Sequence, residues 1–267
     1  MTDRKRQLTR RVASALVLAA FAALVVSAGI LPFAILVTVL AALVLLEFRS
    51  VAGVPGATAT WAMVAMVAIC GIAHSAGSPL QAAFAMAASL FAVPALVLAD
   101  GRRQDAGAWW SMAALFYVAL PAFALLMLRA RGVEPVFWLF AVVWTTDIGA
   151  WLAGSTFGGP KLWPRVSPNK HWSGVAGGVV LGGWAGMTVH EIAGSTTEWP
   201  LALGAAVAVS LAAQAGDLLE SGWKRHFNVK DSGSIIPGHG GVMDRVDGLI
   251  VASVVFALGV VMTGTTP

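Results

Sequence analysis

The sequence predicts an all-α, polytopic integral membrane protein, and three observations carry that expectation. Of its 267 residues, 58% are hydrophobic and only 11% are charged, whereas a soluble domain carries about 25% charged residues. The apolar residues gather into runs long enough to cross a hydrocarbon layer, which takes about 20 residues of helix. When the runs are threaded back and forth, nearly all Lys and Arg fall on one side, the pattern that marks cytoplasmic loops.

About nine transmembrane helices are expected, near residues 12–29, 31–47, 57–75, 80–99, 108–128, 134–154, 174–192, 199–219 and 246–264. The basic stretch Met1–Arg11 followed by an apolar run resembles a signal peptide. The apolar stretch continues from Val12 to Leu46, however, far beyond an h-region of about 7–15 residues. Two membrane helices joined near Gly29–Pro32, without cleavage, are expected instead. With the N-terminus cytoplasmic, fifteen of the seventeen Lys and Arg residues lie inside, and only Arg129 and Arg131 lie outside. The polar loops 155–173 and 220–245 then face the cytoplasm, where nucleotides are available. The chain divides into an N-terminal helical scaffold, 1–135, and a C-terminal region, 136–267, that holds these loops. A multi-pass protein of the cell's inner or plasma membrane is expected, with membrane lipids around it and no nucleic acid as partner. Oligomeric state is not legible in the sequence; a homodimer is one arrangement it allows.

The single cysteine, Cys70, excludes an intramolecular disulfide framework and a multi-cysteine zinc site. In the seventh span Gly174, Gly178, Gly182 and Gly186 recur every fourth residue, a spacing that lets helix backbones approach closely. A helix–helix seam is the expectation there.

The first 130 residues offer little chemistry. Glu47, Arg49, Asp100, Arg102 and Arg103 sit at helix ends and His74 at a loop edge, and interfacial solvation accounts for each. The C-terminal half differs. Asp147 lies inside the apolar span Phe137–Ala153, and a carboxylate at that depth is a functional candidate by default; a helix-packing hydrogen bond is the alternative. Asp217, Glu220, Ser221 and Lys224 have offsets of 0, 3, 4 and 7, which place them on one stripe of a helix. Two carboxylates beside a hydroxyl suit a hard cation, and Lys224 suits a phosphate; a solvated helix end with an internal ion pair is the alternative. In Pro237-Gly-His-Gly-Gly-Val-Met-Asp-Arg-Val-Asp247, glycines allow backbone amides to turn inward and cradle an anion. Asp244 and Asp247 then share a face where the ninth helix opens, a favoured end for negative charge; an ordinary acidic first turn is the alternative. The connection 220–245 can fold back and bring Asp217 close to Asp244. No Walker A, HExxH, GxSxG or CxxC motif is present. Carboxylates for a metal, basic residues for phosphates and a Gly-rich loop are the equipment of phosphoryl or nucleotidyl transfer. Nine spans and Asp147 also fit a transporter, but no internal repeat is visible, and the charges cluster at one end.

The stretch Ser221-Gly-Trp-Lys-Arg, then Lys230-Asp231, then Pro237-Gly-His-Gly-Gly-Val-Met-Asp-Arg-Val-Asp247 closely resembles the signature of phosphatidate cytidylyltransferases, also called CDP-diacylglycerol synthases. Gly216-Asp217-Leu-Leu-Glu220-Ser221, Asp147-Ile-Gly-Ala-Trp151 with Gly154, Phe157-Gly158 and Lys161, and Pro164-Arg-Val-Ser-Pro-Asn-Lys170 resemble further family segments. The resemblance covers 145–250. It implies transfer of a cytidylyl group from CTP to phosphatidate, with Mg²⁺ and a potassium ion held around Asp217 and Asp244. Glu220 and Asp147 are further metal candidates on this reading. Lys161, Lys170, Lys224 and Arg245 would hold phosphates, and Ser167, Arg225, Lys230, His239, Gly240 and Gly241 complete the substrate-binding set. Ser221 and Asp247 would support the catalytic group formed by Asp217, Asp244 and Lys224. One segment departs from the family's usual S-P-x-K-T-x-E-G: here Ser167-Pro-Asn-Lys-His-Trp-Ser-Gly174 puts His171 in place of Thr and Ser173 in place of Glu. That departure keeps open a related CTP-dependent lipid kinase of polyprenol type, or a cytidylyltransferase for another lipid phosphate.

Overall fold

A chain with apolar runs this long satisfies its backbone within helices, because lipid offers no hydrogen-bond partners. The computed structural model describes residues 17–53, 58–78, 106–233 and 240–267. Eight helices occupy them: α1 (Val17–Ala28), α2 (Ile30–Ala52), α3 (Thr58–Ser75), α4 (Ala106–Ala130), α5 (Glu134–Phe157), α6 (Trp172–Ala193), α7 (Trp199–His226) and α8 (Met243–Thr263). Five of these segments, α2, Met112–Ala130 of α4, α5, α7 and α8, are long and apolar enough to cross a membrane. Large apolar side chains are exposed along the helices, among them Ile35, Ile72, Ile148, Leu219 and Leu258. An outer surface of this kind fits lipid better than water. The expected span 80–99 and the start of 12–29 lie outside the described residues, as do Asp100, Arg102 and Arg103.

Two of the expected boundaries move. The segment 155–173 is not wholly a loop: β1 (Lys161–Trp163) and β2 (Ser167–His171) form an antiparallel hairpin that pairs Lys161 with His171 and Trp163 with Ser167. The segment 220–245 is shorter as a connection than expected, because α7 runs on to His226 and α8 already begins at Met243. Both extensions carry polar side chains past the apolar run, where periodicity of hydrophobic residues no longer marks the helix.

Helices α2, α3 and α4 pack together, and α5 to α8 form a second group, with α8 touching both α2 and α4. The tightest pairing joins α5 to α6, and the glycine spacing explains it. Gly174, Gly178, Gly182 and Gly186 are all buried. A Cβ on Gly174 would stand 2.8 Å from the Ala150 carbonyl oxygen, and one on Gly186 would stand 2.8 Å from the Ala206 Cβ and 3.0 Å from the Val142 Cγ2. In an apolar solvent, packing and interhelical hydrogen bonds hold helices together. Trp138, fully buried, donates from Nε1 to the Gly186 carbonyl at 2.9 Å and stacks on Phe256 at 4.6 Å. Buried Thr146 and Ser210 share a 2.7 Å hydrogen bond, and Ser210 Oγ also reaches the Gly178 carbonyl at 3.1 Å. Arg129 donates to the Val26 carbonyl at 2.8 Å and so ties the end of α4 to α1.

Two side chains read as solvated at the sequence level are in fact buried. His74 is 6% exposed, with Nδ1 3.0 Å from the Cys70 carbonyl oxygen. Glu47 is 3% exposed; its partners lie at the site described next.

Candidate active site

The C-terminal helices and the hairpin enclose a polar cavity of about 730 Å³. Its walls come from β1, β2, helices α5 to α8 and the connection before α8, with Leu162 from β1 and Gly174 and Val175 from α6. Helix α5 contributes Asp147, β2 contributes Ser167, Asn169, Lys170 and His171, α7 contributes Gln214, Asp217 and Lys224, and α8 contributes Asp244 and Asp247; Asp231 closes it from the connection.

The sequence folds this way for local reasons. Helix α7 places Asp217 and Lys224 two turns apart on one face, so both line the cavity. The crossing of α7 and α8 is close because Gly216 lacks a side chain: a Cβ there would stand 2.5 Å from the Asp247 carbonyl oxygen. That approach sets Asp217 beside the first turns of α8. The hairpin leans back over the helices, and Lys170 on β2 forms an ion pair with Asp217. Asp147 sits mid-helix with its side chain exposed to the cavity rather than buried in a helix seam.

A second ion-pair system lies deeper. Lys224 Nζ is 3.0 Å from Glu220 Oε1 and 2.5 Å from Asp244 Oδ1. The other oxygen of Asp244 accepts from the Ser232 amide at 3.0 Å, the Ser232 hydroxyl at 3.0 Å and the Gly241 amide at 2.9 Å. Asp244 is thus gripped from both sides, by Lys224 on one oxygen and by the connection on the other. Glu220 is 1% exposed and does not line the cavity. It lines instead a separate pocket of about 130 Å³, together with Phe48, Trp110, Tyr117, Trp223 and Met243. Ser221 Oγ reaches Asp217 Oδ1 at 3.4 Å, and Asp247 Oδ1 accepts from the Gly248 amide at 2.7 Å.

Of the residues singled out in the sequence, Asp147, Ser167, Lys170, Asp217, Lys224, Asp244 and Asp247 come together in the cavity wall. Lys161, Arg225, Lys230 and Arg245 are exposed and are not part of the lining; Arg225 Nη1 donates to the Val229 carbonyl at 3.1 Å. Gly240 and Gly241 also lie outside the lining. The amides expected to cradle an anion are taken up internally: Gly241 donates to Asp244, and Val242 and Met243 donate to Glu47. His239 lies outside the described residues. Sequence reasoning missed Asn169, Gln214, Asp231 and Ser232 as contributors, and above all Glu47. A signal for Glu47 was present, since it is the one carboxylate in the apolar helix Ile30–Ala52 and ionisable groups in such helices mark function.

Among the described residues, no three carboxylate or imidazole side chains stand close enough to hold a metal ion unaided. Mg²⁺ does not need such a cage. It binds through one or two carboxylates, keeps several waters and takes the remaining oxygens from phosphates. Five aspartates around one cavity, Asp147, Asp217, Asp231, Asp244 and Asp247, with Lys170 and Lys224 among them, therefore fit a hard cation that arrives with a phosphate ligand.

Fold and cavity together define a helical membrane-type protein with a mixed-charge site suited to phosphate groups. The chain belongs to the cytidylyltransferase family, whose model matches residues 9–263. It is similar to the phosphatidate cytidylyltransferase of Brucella melitensis biotype 1 (strain 16M), 45% identical over 155 residues, which are 57% of this chain and 57% of that protein. It is also similar to the phosphatidate cytidylyltransferase of Staphylococcus aureus (strain COL), 37% identical over 162 residues, 61% of this chain and 62% of the relative. The chain thus covers less than two thirds of the length of these relatives.

Proposed function

We propose that this protein is a phosphatidate cytidylyltransferase, which converts CTP and phosphatidate into CDP-diacylglycerol and pyrophosphate for phospholipid synthesis. The observation that carries the reading is the single cavity in which Asp147, Asp217, Asp244 and Asp247 face Lys170 and Lys224. The named relatives supply the substrates. In the reaction, an oxygen of the lipid phosphate forms a bond to the α-phosphorus of CTP, and the bond from that phosphorus to the β-phosphate oxygen breaks. The nucleophile is already anionic, so the site needs no strong base. Its task is to bring two anions together, by position and by charge.

Asp217 and Asp244 are the residues that would hold Mg²⁺, with K⁺ as a second ion, and Asp147 is a further ligand candidate. When bound, the metal neutralises phosphate oxygens and orients them for in-line displacement. Lys170 and Lys224 exchange their carboxylate partners for phosphate oxygens as substrate enters. Ser167 and Ser221 add hydroxyl donors, and Asp247 shapes the wall behind Asp217. Exposed Lys161, Arg225, Lys230 and Arg245 draw the polyanionic nucleotide toward the mouth. Nine spans with a cytoplasmic N-terminus place that mouth where CTP is found, in a cell's inner or plasma membrane.

The experiment is incubation of the purified protein with labelled CTP, phosphatidate and Mg²⁺. CDP-lipid and an equal amount of pyrophosphate are expected; absence of CDP-lipid, or equal product from Asp217→Ala, overturns the reading. One observation favours a second reading. His171 lines the cavity, and Ser173, rather than facing it as a carboxylate, donates to the Gly158 carbonyl at 2.5 Å. A changed wall suits another lipid: a CTP-dependent polyprenol-type kinase releases CDP rather than pyrophosphate, and a panel of lipid acceptors separates the two.

A further inference from the structure

We infer that Glu47, near the end of α2, is a positioning residue for the site: it fixes the first turn of α8 and through it Asp244. The inference rests on the cytidylyltransferase reading above for its effect on turnover, but not for its geometry.

Helix α8 has no cap of its own. Val242 precedes it without a capping side chain, yet the start of the helix is buried, with Val242 5% and Met243 1% exposed. Amides at a helix start have no intrahelical partner, and leaving them unpaired in a buried place is costly. Glu47 supplies the acceptors. Its Oε1 accepts from the Val242 amide at 2.8 Å, and its Oε2 accepts from the Met243 amide at 2.8 Å and from the Ser232 hydroxyl at 3.1 Å. A buried carboxylate is itself tolerable only when so satisfied, and the partial positive charge of the helix start favours it further.

The connection is built around this side chain. A Cβ on Gly233 would stand 2.7 Å from Glu47 Oε1, and one on Gly241 would stand 2.6 Å from Oε2. The same connection holds Asp244, because the Ser232 hydroxyl is shared: it lies 3.1 Å from Glu47 Oε2 and 3.0 Å from Asp244 Oδ2. Glu47 and Asp244 therefore divide the donors of four residues, Ser232, Gly241, Val242 and Met243. Removing Glu47 frees two amides and one hydroxyl next to Asp244, and the Asp244 oxygens then compete for them. Asp244 would turn toward the connection and away from the cavity, while the cavity wall formed by α5 and α6 keeps its shape.

The test uses the full chain in lipid nanodiscs, as wild type, Glu47→Gln, Glu47→Ala and Ser232→Ala. Gln keeps the volume of Glu but turns one acceptor into a donor that faces an amide. The first readout is hydrogen exchange of the amides of Gly241, Val242 and Met243. Both Glu47 variants should accelerate it by about tenfold or more, with exchange in Trp172–Ala193 unchanged, and Ser232→Ala should accelerate it less. The second readout is kinetic: kcat with CTP and phosphatidate should fall by roughly ten- to a hundredfold, and half-saturating Mg²⁺ should rise, while KM for phosphatidate stays within about twofold. Unchanged exchange in Glu47→Gln, or equal acceleration throughout all helices, overturns the inference; so does normal kcat and Mg²⁺ dependence. If Glu47→Ala does not fold, Glu47→Gln and Ser232→Ala decide. If wild type makes no CDP-lipid, the proposed activity fails, and the exchange measurement alone decides the role of Glu47.

Discussion

Substituting Lys224 by Met separates what this residue does for folding from what it does for chemistry. The Lys224 side chain is 13% exposed, that of Glu220 is fully buried and that of Asp244 is 10% exposed. Without Lys224, Asp244 still keeps three donors from Ser232 and Gly241, whereas among the described residues Glu220 has Lys224 alone as its ion-pair partner. Breaking a buried pair by removing one partner costs about 3–5 kcal/mol. The lower end, about 3 kcal/mol, applies here because only one carboxylate is stranded. For a chain of this size, that lowers Tm by roughly 6–12 °C. Replacing both partners with apolar residues, Lys224→Met with Glu220→Leu, removes the stranded charge and should restore most of the loss. The double variant should remain inactive, because the cation at Asp244 and the phosphate contact are both gone. The measurement is thermal unfolding in detergent followed by tryptophan fluorescence, with CDP-lipid formation measured in parallel. If Lys224→Met melts within about 2 °C of wild type, or if the double variant melts no higher than the single one, the charge account of Glu220 is wrong.

Asp244→Asn should abolish turnover while leaving the melting temperature within a few degrees, because Asn still accepts from the connection; near-normal product formation by this variant removes Asp244 from the metal site. Chelation of divalent ions should stop CDP-lipid formation, and Mg²⁺ should restore it in full; activity that survives exhaustive chelation refutes metal dependence. Gly186→Val should destabilise the protein by about 1–3 kcal/mol through overpacking, since a Cβ already meets Ala206 and Val142; the check is thermal unfolding, with unchanged stability as the contrary result.

Much of the fold was legible because lipid imposes a simple rule: apolar runs of sufficient length become helices. The glycines at 174, 178, 182 and 186 announced a tight helix–helix seam, and the structure supplies α5 as its main partner. The offsets from Asp217 to Lys224 announced the α7 stripe, and the structure sets both ends of it in the cavity wall. Glu220 illustrates the limit. It sits on the same stripe, yet it is buried against Phe48 of α2, Trp110 and Tyr117 of α4 and Met243 of α8, and no local pattern reveals which distant helix covers a side chain. The hairpin Lys161–His171 was hidden for another reason: with strands of three and five residues, it has too little alternation to register. Glu47 was dismissed because a charge at a helix end has a cheap local explanation, and its actual partners lie 185 to 196 residues away.

That separation also bears on how the protein is made. Glu47 leaves the ribosome 195 residues before Val242, and at about 5–20 residues per second the interval is roughly 10–40 s. During it, α3 to α7 are synthesised while Glu47 has no α8 amide to hold. The loop and helix that answer it are synthesised after α2 to α7, so the Asp244 wall closes only once those helices exist. A ribosome that stalls before residue 242 leaves a bundle with many of its helices, its glycine seam, and no working centre.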